Sequence, residues 1–209
     1  LERYLTSMNY TNSDMITVMT DFYNDLVSNN LFDKLEYCHP FAADASGNQT
    51  EILRQDSFNL VNSWKYGLQY QNSPTADLIG VQWSITNQAY ASTGFTSSVD
   101  RRKITTSTAC AGAYQTTNAG NSADFGSNGT SGSFSMACNL GTDTYDSVNS
   151  GITYSNAPVS SIGLNVVCRT NDPNNFQHRR NGVQVLNWPA YHSGFCDLPI
   201  LLGALGPVS

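Results

Sequence analysis

The spacing of apolar residues changes once along the chain, and this change constrains the fold more than any other feature of the sequence. Between residues 13 and 28, apolar side chains recur every three or four positions, which is the period of an α-helix. From about residue 50 onward, short apolar runs alternate with polar residues and are separated by turn formers, as in β-strands. The sequence therefore predicts a mainly β protein led by one helix.

The predicted helix has a capping signal and a wide apolar stripe. Asn12 or Ser13 can cap it, and Asp14 lies in the first turn, where the helix dipole favours an anion. We expect the stripe to pack on the sheet or on a neighbouring subunit; it consists of Met15, Val18, Met19, Phe22, Leu26 and Val27. Because Ile16 and Tyr23 widen it beyond what a sheet edge covers, we expect a multimer or a docked subunit.

Seven short strands are predicted after a first strand that ends near Pro40. They span residues 66–70, 79–85, 103–114, 132–140, 162–169, 183–186 and 200–205. Asn128-Gly129 and Asn181-Gly182 are the strongest turn signals, because Asn-Gly favours the type I′ turn of hairpins. Residues 115–133, rich in Gly, Ser and Asn, are expected to form a long exposed turn region.

One of these runs has a clear period of two. Ile162, Leu164 and Val166 alternate with Gly163 and Asn165, as in a half-buried strand. Many short strands between regular turns predict a two-sheet antiparallel jelly-roll sandwich. We divide the chain into an N-terminal helical segment, residues 1–36, and a jelly-roll β-sandwich, residues 37–209, as a single domain overall.

The charge of the chain argues against a nucleic-acid-binding protein. The formal net charge is −6 and only 12% of residues are charged, so a basic face for nucleic acid is not expected. Residues 101–103 and 179–180, the two basic clusters, are interpreted as solvated loops.

No apolar run approaches the roughly 20 residues that span a bilayer, so no membrane insertion is expected. The five cysteines contain no CxxC pair, which favours buried thiols without a stabilising disulfide, in a chain folded in a reducing cytoplasm.

No catalytic constellation is evident, and we predict no enzyme activity, no catalytic or metal site and no cofactor. Sandwich glycosidases need two carboxyl groups flanking the scissile bond, and this chain has only three glutamates. Asp143 and Asp146 are interpreted as solvated turn residues. None of His39, His178 and His192 has zinc-site spacing, and His39 is expected at a strand edge. Ser193 lies outside a nucleophile elbow, although a triad assembled from distant residues stays open.

Two features would suit a carbohydrate ligand. Residues 171–175 carry the oxygen donors of a calcium lectin, and Phe176 follows as a ring for sugar stacking, although a polar β-turn explains the same residues. Trp64, Trp83 and Trp188 are the other candidate platforms. Trp83 alternates with residues 81 and 85 as a core residue would, whereas Trp188 before a proline is expected to be exposed.

A series of short motifs occurs in a familiar order along residues 13–205. They are Leu31-Phe32-Asp33-Lys34-Leu35, Tyr37, Pro40-Phe41, Asn59-Leu60, Tyr90, Gly94-Phe95, Arg180-Asn181-Gly182 and Pro199-Ile200-Leu201-Leu202-Gly203-Ala204. This order resembles the concanavalin A-like, LamG-type jelly rolls of bacteriophage and virus structural proteins. In that family a helix precedes the sandwich, and an Arg-Asn-Gly-type hairpin precedes a last strand ending in Gly-Ala.

The resemblance implies a non-enzymatic role on the virion surface, as a decoration, head fibre or tail fibre domain. Its implied partners are further copies of the chain, with trimers favoured, and other virion proteins, with host glycans as an added ligand. A secreted or cell-surface carbohydrate-binding module, extracellular in location, is the alternative. A signal peptide upstream of Leu1 would favour that alternative, whereas neighbouring capsid genes would favour the virion.

Overall fold

A computed structural model describes most of the chain, in two compact units. The units are Leu1–Gly94 and Phe95–Ser209. The described residues are 1–8, 10, 12–40, 59–61, 65–77, 80–83, 88–117, 123–140, 143–150, 153–155, 160–169, 176–188 and 194–204. The sequence-based boundary after residue 36, within a single domain overall, stays a prediction.

The first unit begins with helices α1, Glu2–Met8, and α2, Ser13–Ser28, followed by a 3-10 turn, Phe32–Lys34. The predicted bounds of α2 are confirmed, and its cap is Asn12, whose side chain accepts the Asp14 N–H at 2.8 Å. At the other end, Asn30 has φ +54°, and Leu31 N–H donates to Leu26 O at 2.8 Å. This left-handed cap satisfies carbonyls that the last helical turn would leave without partners.

Within the first unit, helix α2 packs along part of the predicted stripe. Met19 is buried at 2% exposure, and Met15, Tyr23 and Leu26 pack with it. The buried residues of this cluster from other parts of the first unit are Tyr4, Met8, Tyr10 and Leu60. Met15, Met19 and Leu26 of the predicted stripe are thus covered within the unit, whereas three others are 39–55% exposed: Val18, Phe22 and Val27. That these three pack on a neighbouring subunit stays a prediction.

Four short strands complete the described part of the first unit. They are β1, Gln69–Gln71, β2, Thr75–Asp77, β3, Gly80–Gln82, and β4, Tyr90–Thr96, which continues past the unit boundary. β1 pairs with β4, and β2 pairs with β3, both antiparallel. The prediction of a strand that ends near Pro40 is wrong, since the described residues before Pro40 form no strand. The Cys38 N–H donates instead to Oδ1 of the buried Asn59 at 3.0 Å.

The second unit holds a short helix α3, Ser97–Asp100, and two antiparallel sheets. Its strands are β5, Ala109–Gln115; β6, Phe125–Asn128; β7, Ser133–Leu140; β8, Asp143–Ser150; β9, Thr153–Ser155; β10, Gly163–Arg169; β11, Phe176–Arg180; β12, Val183–Trp188; and β13, Pro199–Leu202. Within this unit a five-stranded sheet runs β13-β6-β7-β8-β9 and a four-stranded sheet runs β12-β11-β10-β5. The prediction of a mainly β fold with two antiparallel sheets is confirmed.

The turn predicted at Asn181-Gly182 is confirmed, whereas Asn128-Gly129 begins a longer turn, since Asn128 pairs with Ser133, and is not of type I′. Asn181 and Gly182 have φ +49° and +81° and join β11 to β12, with two positive φ values as a type I′ turn requires. Asn128 is the last residue of β6, and Gly129 N–H donates to Gly132 O at 3.0 Å in the turn to β7. The exposed turn predicted over residues 115–133 is wrong in part, because β6 lies inside it and is largely buried.

No helix in the described part of the chain is long and apolar enough to cross a membrane.

Candidate functional site

A cluster of buried polar side chains joins the two sheets of the second unit. His178 on β11 places Nδ1 2.8 Å from Oδ2 of Asp146 on β8. Its Nε2 lies 3.2 Å from Oδ1 of Asn165 on β10. All three side chains are at most 1% exposed. Since β8 belongs to the five-stranded sheet and the other two strands to the four-stranded sheet, the Asp146–His178 bond connects the sheets.

A thiol completes an arrangement that resembles a nucleophile–base–orienter set. Sγ of Cys138 on β7 lies 3.8 Å from Nε2 of His178. Beside it, Asp124 accepts the Cys138 backbone N–H at 3.1 Å and a hydrogen bond from the Gln115 side chain. A thiol, an imidazole and a carboxylate in this order are the groups of cysteine-dependent acyl transfer. Whether this thiol can react depends on the charges and the burial around its sulfur.

The electrostatics disfavour a reactive thiolate. The pKa of Cys138 is raised far above its ordinary value, first by burial and then by the carboxylates of Asp124 and Asp146. A catalytic cysteine needs the opposite environment, one that stabilises negative charge on sulfur. The Cys138 side chain is also 0% exposed. Nε2 of His178 is not available to the thiol alone, because it also lies 3.2 Å from Oδ1 of Asn165. Cys138 is thus a neutral, inaccessible thiol in this fold.

The hydrogen bonds also fix where the protons lie. The Asn165 amide donates to Ser161 O at 2.6 Å and to Gly163 O at 3.3 Å, so its Oδ1 faces His178 as an acceptor. Nε2 of His178 consequently carries a hydrogen, and one further proton is shared between Nδ1 and Asp146. Burial raises the pKa of Asp146, and the His178 bond opposes that rise. The bond gives each of these two buried ionisable groups the partner that burial requires.

On the side of the four-stranded sheet that faces away from the buried cluster, strand β10 carries apolar residues. In β10 the buried positions are Gly163, Asn165, Val167 and Arg169, whereas Leu164 is 45% exposed and Val166 is half-buried. Ile162, just before the strand, is 50% exposed. The alternation predicted for residues 162–166 is confirmed, but Ile162, Leu164 and Val166 face outward, and Gly163 and Asn165 face inward.

The neighbouring strand β5 continues this outward apolar surface. Tyr114, 71% exposed, lies directly opposite Leu164, and Gly112 lies opposite Val166. A Cβ on Gly112 would come within 2.7 Å of the Asn165 carbonyl oxygen, so only glycine allows this close approach. We call this surface the β5–β10 face; its residues are Cys110, Gly112, Tyr114, Leu164, Val166 and Cys168.

Beyond the β5–β10 face, the same side of the sheet becomes polar. The outward residues of β11 are Gln177 and Arg179, which lie opposite Asn187 and Gln184 of β12. Arg179 donates through Nε to Gln177 Oε1 at 3.1 Å. The outward side of this sheet is thus half apolar and half amide-rich, with one charged residue among the outward positions described.

The structure corrects several residue assignments. Asp143 and Asp146 belong to β8 and not to a turn, and Asp146 is buried. Phe176 is 0% exposed, so it is not a ring for sugar stacking. His39 lies outside any strand; its Nε2 is 2.8 Å from Tyr66 O, and burial lowers its pKa to about 4.

Other candidates fall in different surroundings. Trp83 is half-buried and stacks on Tyr70 at 6.2 Å between ring centroids. In the cluster predicted as a solvated loop, the Arg101 guanidinium lies 3.7 Å from the Phe195 ring centre. No group of three or more metal-binding side chains occurs among the residues that the structure describes. Trp64, residues 171–175, His192 and Ser193 lie outside the described residues, as does the side chain of Trp188.

Comparison with known proteins gives no assignment: no family model matches the chain, and no curated protein or solved structure matches it significantly.

Proposed function

We propose that this chain is a non-catalytic structural domain that works by contact between subunits, and that the β5–β10 face makes this contact. The observation that carries the proposal is the outward placement of Tyr114 and Leu164, which are 71% and 45% exposed and lie side by side on a sheet. Aromatic and aliphatic side chains of this kind form the centres of protein interfaces. The inaccessible, neutral Cys138 supports the absence of catalysis.

A second copy of the chain is the proposed occupant of the face. The chain carries a formal charge of −6, so an acidic surface would repel its own copy. On the outward side of the four-stranded sheet, however, Arg179 is the one charged residue among the described strand positions. Self-contact through this surface avoids like-charge repulsion at its centre, and most oligomers of soluble proteins are homo-oligomers.

The wider setting that we propose is a virion. In this proposal the chain is a concanavalin A-like jelly roll that serves as a surface decoration, head fibre or tail fibre domain, contacting further copies of itself and other virion proteins. The two antiparallel sheets and the Asn181-Gly182 hairpin support it, together with the motif order described above. An antibody against the purified chain should label intact virus particles from the source culture; label confined to the secreted fraction would overturn the virion setting.

Sedimentation of matched variants tests the contact. We expect the wild-type chain to associate as its concentration rises, and Tyr114→Ser with Leu164→Ser to weaken association at least tenfold, since each buried apolar side chain contributes about 1.5–3 kcal/mol. The control is Val183→Ser, which removes an apolar side chain that is 67% exposed on β12, outside the face. A wild-type chain that stays monomeric, or a control that behaves like the double variant, would overturn the proposal.

Carbohydrate binding is the second candidate, and one observation favours it. The exposed Tyr114 ring shares a sheet side with the amides of Gln177, Gln184 and Asn187, and rings beside amides are common sugar-binding chemistry. Glycan-array binding that survives Tyr114→Phe but is lost in Tyr114→Ala would support this function. Equal binding by both variants, or none by the wild type, would count against it.

A further inference from the structure

Two cysteines on the β5–β10 face meet across adjacent strands. Cys110 of β5 lies directly opposite Cys168 of β10, and both side chains point to the outward side of the sheet. Directly opposite residues of antiparallel strands have Cα atoms about 4.5 or 5.5 Å apart. Both separations fall within the range of about 4.4–6.8 Å that a disulfide spans. The strand register thus pairs two thiols that are far apart in the sequence.

The two thiols also contact each other and differ in reactivity. A hydrogen bond joins the Cys110 and Cys168 side chains. The pKa of Cys168 is lowered, first by this bond and also by the positive charge of Arg179 on the neighbouring strand. Arg179 breaks the symmetry of the pair and makes Cys168 the better nucleophile. Cys110 is exposed in the separate chain, so the prediction of buried thiols is wrong for it, and small disulfides can reach it while the β5–β10 face is not covered by a second copy.

We propose that Cys110 and Cys168 form a reversible redox pair, a thiol-modification site that reacts with small disulfides of the glutathione class. The Cys168 thiolate attacks one sulfur of the oxidised disulfide; its S–S bond breaks, one reduced thiol leaves with a proton, and a mixed disulfide remains on Cys168. The Cys110 thiol then loses its proton and attacks Cys168 Sγ, which releases the second reduced thiol. The protein loses two hydrogens, and one small disulfide becomes two thiols.

The other cysteines lack these properties. Cys138 and Cys196 are 0% exposed, and the Cys196 thiol donates to Ser127 Oγ at 3.1 Å. Cys38 is half-buried, and burial raises its pKa to about 11. Reaction with a small disulfide should therefore select the cross-strand pair from the five cysteines of the chain.

The test uses the full chain, reduced and then incubated at low protein concentration with oxidised glutathione. Free thiols are counted by maleimide labelling in denaturant, and bridges are mapped by mass spectrometry of unreduced peptides. We expect the count to fall from the initial five to three, with one intramolecular Cys110–Cys168 bridge, no retained glutathione and full reversal by dithiothreitol. Five thiols after oxidation, a bridge elsewhere, or bridges between chains would overturn the proposal.

Single variants test the order of attack. Cys110→Ser should retain one glutathione on Cys168, because the resolving thiol is gone, whereas Cys168→Ser should take up glutathione more slowly. Cys38→Ser is the matched control and should still form the bridge at the wild-type rate. Circular dichroism verifies that each variant is folded. Faster uptake in Cys168→Ser than in Cys110→Ser, or loss of two thiols in Cys110→Ser, would contradict the assignment.

Discussion

Replacement of His178 by leucine should destabilise the second unit in a manner that depends on pH. His178 supplies the hydrogen-bond partner of Asp146 Oδ2, and the other oxygen, Oδ1, has no hydrogen-bond partner among the described residues. In His178→Leu the carboxyl group would stay 1% exposed without its counter-group. Breaking a buried charged pair in this way costs about 3–5 kcal/mol.

The cost of His178→Leu also follows from the ordinary pKa of the Asp146 carboxyl group. A carboxyl group that cannot remain charged takes up a proton, and its ordinary pKa is 3.8. Protonation at pH 7 then costs about 4 kcal/mol, because each pH unit above that pKa adds about 1.4 kcal/mol. Near pH 4 the same cost is close to zero, since the group is already half protonated when unfolded. The destabilisation by His178→Leu should therefore shrink by several kcal/mol between pH 7 and pH 4.

Urea unfolding at several pH values, followed by circular dichroism, measures this effect. The matched variant is Asp146→Asn, whose amide can donate to Nδ1 of His178 while Nε2 still donates to Asn165. It should cost less at pH 7 than His178→Leu. Adding Asp146→Asn to His178→Leu should remove the pH dependence of the loss. If His178→Leu costs the same at pH 4 and pH 7, the carboxyl group is not held buried by its bond to the imidazole, and the reasoning fails.

Three further predictions concern stability. Burial raises the pKa of Asp124 above its ordinary value, so its contribution to stability is present at pH values below that ordinary pKa and is lost as the pH rises. Asp124→Asn removes this ionisable group and should flatten this part of the dependence of stability on pH, as measured by urea titration. Gly129→Ala should cost about 1–3 kcal/mol in thermal unfolding, because the new Cβ would overlap the Asp197 carboxylate, and an unchanged melting temperature would refute the close approach. Met19→Ala should lower the free energy of unfolding by about 2–5 kcal/mol and Val18→Ala by less than about 0.5 kcal/mol, because Met19 is 2% and Val18 is 55% exposed. Equal losses in urea unfolding would contradict the position of the buried side of α2.

Local signals allowed the best sequence predictions. The bounds of α2 follow from apolar spacing and from Asn caps at both ends, and the β11–β12 hairpin follows from Asn181-Gly182. Each depends on residues that are close in sequence, where backbone preferences decide the structure. Strand β6 was missed because Phe125-Gly-Ser-Asn128 has one large apolar residue, although its burial is nearly complete.

The buried cluster could not be predicted, because it depends on strand register and sheet packing. Asp146 and Cys138 lie 32 and 40 residues from His178 along the chain, and no spacing motif links them. The Cys110–Cys168 pair has the same origin, since only the β5–β10 register brings the two thiols together. Odd cysteine number and wide spacing carried no information about which thiols would meet.

Strand β10 connects the buried cluster to the exposed face. Asn165 must point inward to accept from His178, and a strand's two faces alternate, so residues 164, 166 and 168 must point outward. Nothing in the cluster requires those outward residues to be apolar; polar side chains would leave Asn165 and its bonds unchanged. Leu164 nevertheless lies 45% exposed beside the 71% exposed Tyr114. The buried cluster does not need this apolar surface, which is why we propose that a second copy of the chain covers it, and the sedimentation of the Tyr114 and Leu164 variants tests that proposal directly.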